Sequence, residues 1–470
     1  MEYKNERLEE FCNYIKYKRV AVIGLGISNI PLIDFLYELR ADITVFDRRS
    51  IEKIDNKILE NIRRKSIKCS FGEKYLETLK DFNIIFRSPS CRPDLPEILE
   101  ELSKGAILTS EIEMLMELCP GLIIGVTGSD GKTTTTSLIY NIIKNKGYNC
   151  YLGGNIGIPL FSKIREMRPG DIVVLELSSF QLMNIKTSPN IAVITNISPN
   201  HLDIHKSYDE YIEAKKNIFK YQSNKDTLVL NYDNDITREF EKEANGNVIF
   251  FSKNHKLNDG VILDEGIIKI CENKLRKHIL NTKNMKLRGE HNYENACAAI
   301  AATKDLVDNE TQVKTIAEFK GVEHRLEFVK EIDGVKWYND SIGTSPTRTI
   351  AGLKSFNKNL ILIAGGYDKH LDYTPIGEPI VENVKILILM GQTANKIKEA
   401  TIKAMNKTKR KVDIYDCNSL EEAVKLASEL SKKGDIILFS PASASFDLYK
   451  NFEERGNDFK EKVNNLIISK

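Results

Sequence analysis

The chain has 470 residues, too many for one ordinary core, and its length alone argues for about three domains. Its 68 Lys and Arg against 66 Asp and Glu leave no charge excess suited to nucleic acid or a membrane surface. Met1–Glu10 is charged, no apolar run approaches the roughly 20 residues of a membrane span, and eight scattered cysteines form no C-x-x-C pair, so a soluble, cytoplasmic protein with reduced thiols is expected.

Taken in order, Arg19 to Ile23 reads as a strand running into Gly24-Leu25-Gly26-Ile27-Ser28-Asn29. A helical pattern follows (Ile33, Leu36, Tyr37), then a second strand, Ile43 to Phe46, ending at Asp47. A βαβ unit with an acid about 20 residues after its glycines is the Rossmann fingerprint, whose turn lets backbone approach a pyrophosphate. Asn29 stands at or beside the place of the third glycine. Three readings stay open: a dinucleotide, the diphosphate of another nucleotide-linked molecule with Asp47 and Arg48 near its far end, or a structural turn without ligand. Ile84-Ile85-Phe86 then leads into Arg87-Ser88-Pro89-Ser90, and Pro93 and Pro96 open a helix. Near Thr109 to Glu113 the alternation yields to a single helix, Ile112 to Leu118, which bounds a first domain at residues 1–110.

A second domain, 111–321, starts with Leu122 to Val126 as a strand, then Gly128-Ser129-Asp130-Gly131-Lys132-Thr133-Thr134, then a helix from Lys132 to Lys146. Strand, glycine turn and Lys-Thr opening a helix make a phosphate loop: backbone N–H groups cradle oxygens, lysine supplies a point charge and the threonine hydroxyl reaches Mg²⁺. Val126 occupies the place of the first glycine of the longer pattern. Gly153 to Gly157 is a turn that a ligand could approach. The apolar strand Asp171 to Leu175 ends at Glu176, and Ile191 to Ile194 ends in Thr195-Asn196, followed by His201 to His205. A carboxylate and an imidazole at neighbouring strand ends suit metal ions that bridge phosphates. The helix Tyr208 to Phe219 carries Lys215 and Lys216, which composition alone reads as a solvated face. Asn292, before the alanine-rich helix Ala296 to Ala302, either meets an adenine or caps the helix, the cap being the better reading from residues alone.

The third domain, 322–470, again alternates strands and helices. Its strands end at Trp337 to Ser341, Asn359 to Ala364, Lys385 to Met390, Lys411 to Tyr415 and Asp435 to Phe439, and Asn457 to Ile468 reads as a terminal amphipathic helix. The expected fold is α/β in three domains: a Rossmann-like N-terminal domain, a central P-loop ATPase domain with a mostly parallel sheet, and a Rossmann-like C-terminal domain.

Over nearly its whole length the chain resembles the Mur ligases of peptidoglycan synthesis. The resemblance rests on Thr127 to Thr134, Gly153 to Gly157, Glu176 to Leu182, Asn196 to Asp203, Gly289 to Asn295, Gly321 to Glu327, Asn339 to Ser341, Ala364 to Lys369 and Ser440 to Gly456. It implies an ATP-dependent amide ligase acting through an acyl phosphate. Ser88-Pro89 and the segments Ser440 to Ser445 and Asn451 to Gly456 favour the member that joins D-glutamate to UDP-N-acetylmuramoyl-L-alanine, with the L-alanine-adding member as the rival. A nucleotide-binding regulator without turnover is a further alternative.

The resemblance also implies roles for single residues. Gly128 to Thr134, Asn292, Arg325 and Asp340 would bind ATP, with Lys132 on the terminal phosphates. Thr133, Glu176, His201 and a CO₂-derived carbamate on Lys215 would hold two Mg²⁺ ions, and Tyr211-Ile212-Glu213-Ala214-Lys215 matches the family's Tyr-x-x-Ala-Lys segment. Gly26, Ile27, Ser28, Asp47, Arg48, Asn155 and Ser178 would face the UDP-linked substrate. Lys369, Ser445, Phe446 and Phe452 would hold D-glutamate. The protein would be a monomer whose third domain closes on ATP. Ile342 stands where some relatives have Lys, and Asp130 where Asn is commoner.

Overall fold

The computed structural model describes residues 3–199, 204–287, 289–356, 359–368 and 371–466. His201, Lys369 and Ile468, all named above, lie outside the described residues. The chain divides after Phe319 into two compact units, 1–319 and 320–470.

The first unit holds two sheets. Strands β1 (Arg19–Ile23), β2 (Asp42–Asp47), β3 (Lys68–Phe71), β4 (Ile84–Arg87) and β5 (Ile107–Thr109) form a parallel sheet in the order β3-β2-β1-β4-β5. Val20 to Ile23 and Ile84 to Arg87 are buried along their full length, as strands covered on both faces must be. The strand order reverses between β1 and β4, so the turns after these two strands frame the crevice where an open α/β sheet takes its ligand.

The second sheet comprises β6 (Leu122–Thr127), β7 (Cys150–Gly154), β8 (Ile172–Glu176), β9 (Ile191–Ile194), β10 (Thr227–Asn231), β11 (Asn247–Ser252), β12 (Gly260–Asp264), β13 (Ile267–Glu272) and β14 (Leu275–Asn281). Their order is β14-β13-β12-β11-β10-β9-β6-β8-β7, parallel except for the β12-β13-β14 meander. β6 lies between β9 and β8, so the loops after all three strands meet at one carboxyl edge. The two sheets of this unit share a hydrophobic cluster in which the Phe161 ring lies 5.0 Å from Phe35 and 6.3 Å from Phe11.

The second unit carries β15 (Glu327–Ile332), β16 (Val335–Asn339), β17 (Leu360–Ala364), β18 (Val384–Leu389), β19 (Asp413–Asp416) and β20 (Ile436–Phe439). Their order is β15-β16-β20-β17-β18-β19, with only the β15–β16 pair antiparallel. The α/β class with mostly parallel sheets is as expected. Two local details differ. The last helix starts at Phe452, where the Asn451 side chain caps it by accepting from Glu454 N at 2.8 Å. The meander from β12 to β14 was not anticipated: β14 is exposed over its first four residues and lacks a hydrophobic face to signal it. No described helix is long and apolar enough to cross a membrane.

Candidate active site

The loop after β6 is shaped by two glycines that tolerate no side chain. Gly128 has φ +149°, and an added Cβ would lie 1.9 Å from Thr195 Oγ1; Gly131 has φ +79°, with Asn295 Oδ1 2.3 Å from such an atom. The loop is sewn to the segment after β9. Ser129 N donates to Asn196 O and Asp130 N to Asn196 Oδ1, both at 2.9 Å, while Thr195 Oγ1 donates to Asp130 O at 2.6 Å. Gly131 occupies the N-cap of the helix Lys132–Lys146, so the free N–H groups of its first turn serve the same loop. Lys132 Nζ folds back onto Gly128 O at 2.9 Å and Ser129 O at 2.8 Å. Val126 is fully buried in the strand, so the missing first glycine corresponds to a position that packs core.

Glu176, the last residue of β8, is 1% exposed. Its Oε1 accepts from Asn155 Nδ2 at 2.7 Å, and its Oε2 is buried with no hydrogen-bond partner. A buried carboxylate oxygen without a donor is costly unless something positive meets it. Lys215 is also 1% exposed, against the reading from composition. Its Nζ donates to Gly128 O at 2.8 Å and Thr127 Oγ1 at 3.1 Å and lies 4.9 Å from the centre of the Tyr211 ring. Burial, reinforced by the nearby Lys132 charge, drives the Lys215 amine well below its ordinary value, which favours its uncharged, nucleophilic form. Lys216 is not simply solvated either: its side chain pairs with Glu243 at 2.8 Å and Glu213 at 2.9 Å.

Glu176 and a carboxylated Lys215 are oxygen donors of the kind Mg²⁺ takes, and the orphaned Glu176 Oε2 fits that use. Among the described residues no three His, Cys, Asp or Glu side chains form a cluster that could hold a metal ion.

Asn292 does not cap its helix. Gly289 stands at the N-cap of Glu290–Thr303 and makes no side-chain cap bond, and Asn292 lies inside the first turn, buried.

In the first sheet, the turn after β1 is closed by Asn29, whose amide donates to Ile23 O at 3.1 Å and Gly24 O at 2.8 Å. That side chain stands in for the third glycine of the fingerprint. Asp47 accepts from Leu25 N at 2.7 Å and from Arg49 N and Nε at 2.9 Å. Burial opposes the Asp47 charge, yet the Arg49 guanidinium and these N–H groups hold the carboxyl below its usual range. Arg49, whose guanidinium also donates to Leu25 O at 3.0 Å, therefore braces this turn. Ile27 is 81% exposed, and an added Cβ at Gly26 would meet nothing within 4 Å, so the outer face of the turn is open. Ser178 forms a capping box with Gln181 at the start of the short helix after Glu176.

In the second unit, Asp340 follows β16 and is buried. Burial pushes its carboxyl up to about 6, against the Ser440 hydroxyl at 2.6 Å and Leu326 N at 3.2 Å. Arg325 lies between His324 and Leu326, both of which have positive φ. Ser445 is buried, Phe446 is 58% exposed with its ring 6.0 Å from Tyr367, and Phe452 O accepts from Ser341 Oγ at 2.8 Å.

With this geometry in view, three family profiles match the chain: Mur ligase MurD-like, N-terminal domain over residues 18–110, Mur ligase middle domain over 126–303, and Mur ligase, glutamate ligase domain over 324–443. A UDP-N-acetylmuramoylalanine--D-glutamate ligase of Acetivibrio thermocellus is 54% identical over 464 residues, covering 98% of this chain and 99% of its own. One of Clostridium acetobutylicum is 50% identical over 459 residues, covering 97% and 98%. The chain belongs to the Mur ligase family. Solved Mur ligases share the fold. The UDP-N-acetylmuramate-alanine ligase MurC of Thermotoga maritima has a TM-score of 0.52 at 18% identity over 95% of this chain and 99% of its own. A MurF ligase of Thermotoga maritima in complex with ADP has 0.50 at 19% over 96% of each.

Against this family background, the expected residues the first unit brings to one edge are Gly128 to Thr134, Glu176, Asn155 and Lys215. Sequence reasoning named Thr195, Asn196, Asn295, Asn29 and Tyr211 only as motif positions and missed Arg49 altogether. It did not show that they set the positions of the loop and the turn, among them Tyr211, whose hydroxyl lies 2.8 Å from Ser129 Oγ. For Lys215 a signal existed. Tyr211, Ala214, Lys215 and Ile218 recur at helical spacing and are all buried, whereas Lys216 falls off that face. Nothing local marks the others, because each is a polar side chain whose partner lies far away in sequence.

Proposed function

We propose that the protein joins D-glutamate to UDP-N-acetylmuramoyl-L-alanine, at the expense of ATP, in peptidoglycan precursor synthesis. The observation that carries this is the end-to-end 54% identity to a D-glutamate ligase, together with the buried Glu176 and Lys215 beside an intact phosphate loop. The L-alanine-adding alternative has weaker support, since the L-alanine ligase of known structure is 18% identical.

A carboxylate is a poor electrophile, and phosphorylation gives it a leaving group. An oxygen of the substrate carboxylate attacks the γ-phosphorus of ATP, the bond to the β–γ bridging oxygen breaks, and ADP departs. The neutral amine of D-glutamate then attacks the acyl carbon, phosphate leaves with the bonding pair, the nitrogen loses a proton, and an amide remains. The protein's part is positioning and charge neutralisation. Lys132, released from Gly128 O and Ser129 O, supplies a cation to the terminal phosphates, and the N–H groups of the loop orient their oxygens. Bound Mg²⁺, held by Thr133, Glu176 and the Lys215 carbamate with His201 as a further ligand, would neutralise phosphoryl charge. The carbamate forms when the Lys215 amine adds CO₂ and gives up one proton. Burial, by lowering the ammonium's stability, favours that addition. Asn292, Arg325 and Asp340 serve the nucleotide in this reading; Gly26, Ile27, Ser28, Asp47, Arg48, Asn155 and Ser178 serve the UDP-linked substrate; Lys369, Ser445, Phe446 and Phe452 serve D-glutamate. In this reading residues 1–110 carry groups for the UDP-linked substrate, 111–321 the phosphate loop and metal ligands together with Asn155 and Ser178, and 322–470 the D-glutamate groups together with Arg325 and Asp340. Eight free cysteines are in keeping with a cytoplasmic enzyme, and a monomer suffices for the chemistry.

The test is phosphate release from ATP. It should require UDP-N-acetylmuramoyl-L-alanine and D-glutamate together. Turnover with UDP-N-acetylmuramate and L-alanine instead would move the protein to the rival activity.

A further inference from the structure

The end of β4 and the stretch after it hold two arginines for which the reaction above has no use, yet both reach segments to which metal ligands are assigned in that reading. Arg87 ends β4 and is 1% exposed. Its guanidinium donates to Phe180 O at 2.7 Å, Cys91 O at 2.9 Å and Ser88 O at 3.3 Å, and to the Asn184 side chain. Those partners include no carboxylate, and burial pulls the guanidinium down to about 10. A buried cation whose hydrogen bonds go only to neutral groups, with Glu113 as a nearby acidic charge, is a poor stabiliser compared with an apolar side chain of similar size. Its place is better explained by what it grips.

Ser179 and Phe180 stand three and four residues after Glu176 in the chain. The Phe180 ring stacks on His205 at 5.3 Å and 12°, and Ser179 Oγ lies 3.0 Å from His205 Nε2. His205 meets the Tyr211 ring edge-on at 5.3 Å, and Tyr211 reaches Ser129 of the phosphate loop. Arg92 makes the second grip. It donates to Glu210 Oε1 at 2.6 Å and Oε2 at 3.2 Å, and to Ile204 O at 2.9 Å. Glu210 lies in the first turn of Tyr208–Lys220, the helix that carries Lys215. At its other end the stretch touches the open turn after β1: a Cβ at Gly24 would lie 2.5 Å from Ser88 Oγ.

We propose that Arg87 and Arg92 are positioning residues, through which occupation of the turn after β1 by the UDP-linked substrate sets the placement of the Glu176 and Lys215 segments. Substrate and nucleotide then strengthen each other's binding, and by linkage they do so equally. This rests on the reading of that turn as the UDP-substrate site.

The test is titration calorimetry of the full chain with a non-hydrolysable ATP analogue and UDP-N-acetylmuramoyl-L-alanine, each alone and in the presence of the other. In the native protein the analogue tightens substrate binding by about tenfold, within the usual range for coupled sites. Arg87→Lys and Arg92→Gln each reduce that factor by about threefold or more, while the analogue's affinity in the absence of substrate stays within about twofold. The Arg92 side chain is 21% exposed, so Arg92→Gln decides the matter if Arg87→Lys does not fold. A native coupling factor of one overturns the proposal. So do folded variants that keep the native factor, or that lose analogue affinity without substrate as much as they lose coupling. Failure of the native protein to bind the UDP substrate at all refutes the functional reading instead.

Discussion

Replacing Gly128 by alanine tests whether the loop after β6 binds phosphate because of its backbone shape. An alanine at φ +149° is strained by about 1–2 kcal/mol. Its Cβ would stand 1.9 Å from Thr195 Oγ1 and 3.2 Å from Asn196 N. The threonine must turn away and give up its bonds to Asp130 O at 2.6 Å and Thr127 O at 3.2 Å, about 1 kcal/mol each. The total, about 3–4 kcal/mol, is less than the roughly 5–15 kcal/mol that holds a domain together, so the variant folds. It melts roughly 5–10 °C lower. The loop itself cannot keep its place, since Ser129 N and Asp130 N are both held by Asn196, whose backbone the new methyl crowds. Binding of an ATP analogue should weaken by about tenfold or more, equivalent to about 1.4 kcal/mol. Gly26→Ala, where a Cβ meets nothing within 4 Å, is the control and should leave both readouts near native. A Gly128→Ala protein with native melting temperature and native nucleotide affinity would refute the reasoning.

Glu176→Gln keeps an acceptor for Asn155 and should leave stability within about 1 kcal/mol of native while turnover drops by about 100-fold, because Mg²⁺ loses an anionic ligand; equal turnover in a phosphate-release assay would remove Glu176 from the metal site. Lys215→Ala should lose turnover to a similar extent, about 100-fold, and regain part of it when acetate supplies a carboxylate; full activity without acetate or bicarbonate would exclude the carbamate. Glu111 gives a pH test outside the site. Burial pushes its carboxyl up from 4.5 to about 7, with Phe161 N donating to it at 3.1 Å. Because the folded value is the higher one, stability is complete below about pH 4.5 and declines as pH rises through 7. Denaturant titrations should find Glu111→Gln more stable than native by up to about 3 kcal/mol at pH 8 and unchanged at pH 4; the reverse pH order would contradict the assignment.

What the sequence by itself determined was the set of parallel strands and the ends at which chemistry gathers. Val20 to Ile23, Ile172 to Leu175 and Leu360 to Ala364 are unbroken apolar runs, and only a strand covered on both faces buries every residue of such a run. Gly128 and Gly131 were legible for the same kind of reason, since the backbone shape they allow is a property of glycine wherever it stands. The tertiary structure alone decided the polar roles. Asp47 is taken by Arg49, Asn29 closes a turn that a third glycine would otherwise shape, and Asn292 leaves the cap to Gly289. Lys215 differs from Lys216 only in which face of one helix each occupies, and what covers that face is a loop 87 residues earlier in the chain. Apolar burial repeats with the period of the local backbone and so leaves its mark in the sequence. A hydrogen bond or a displaced charge depends on one partner brought in from afar, and nothing in the local sequence records which partner that is.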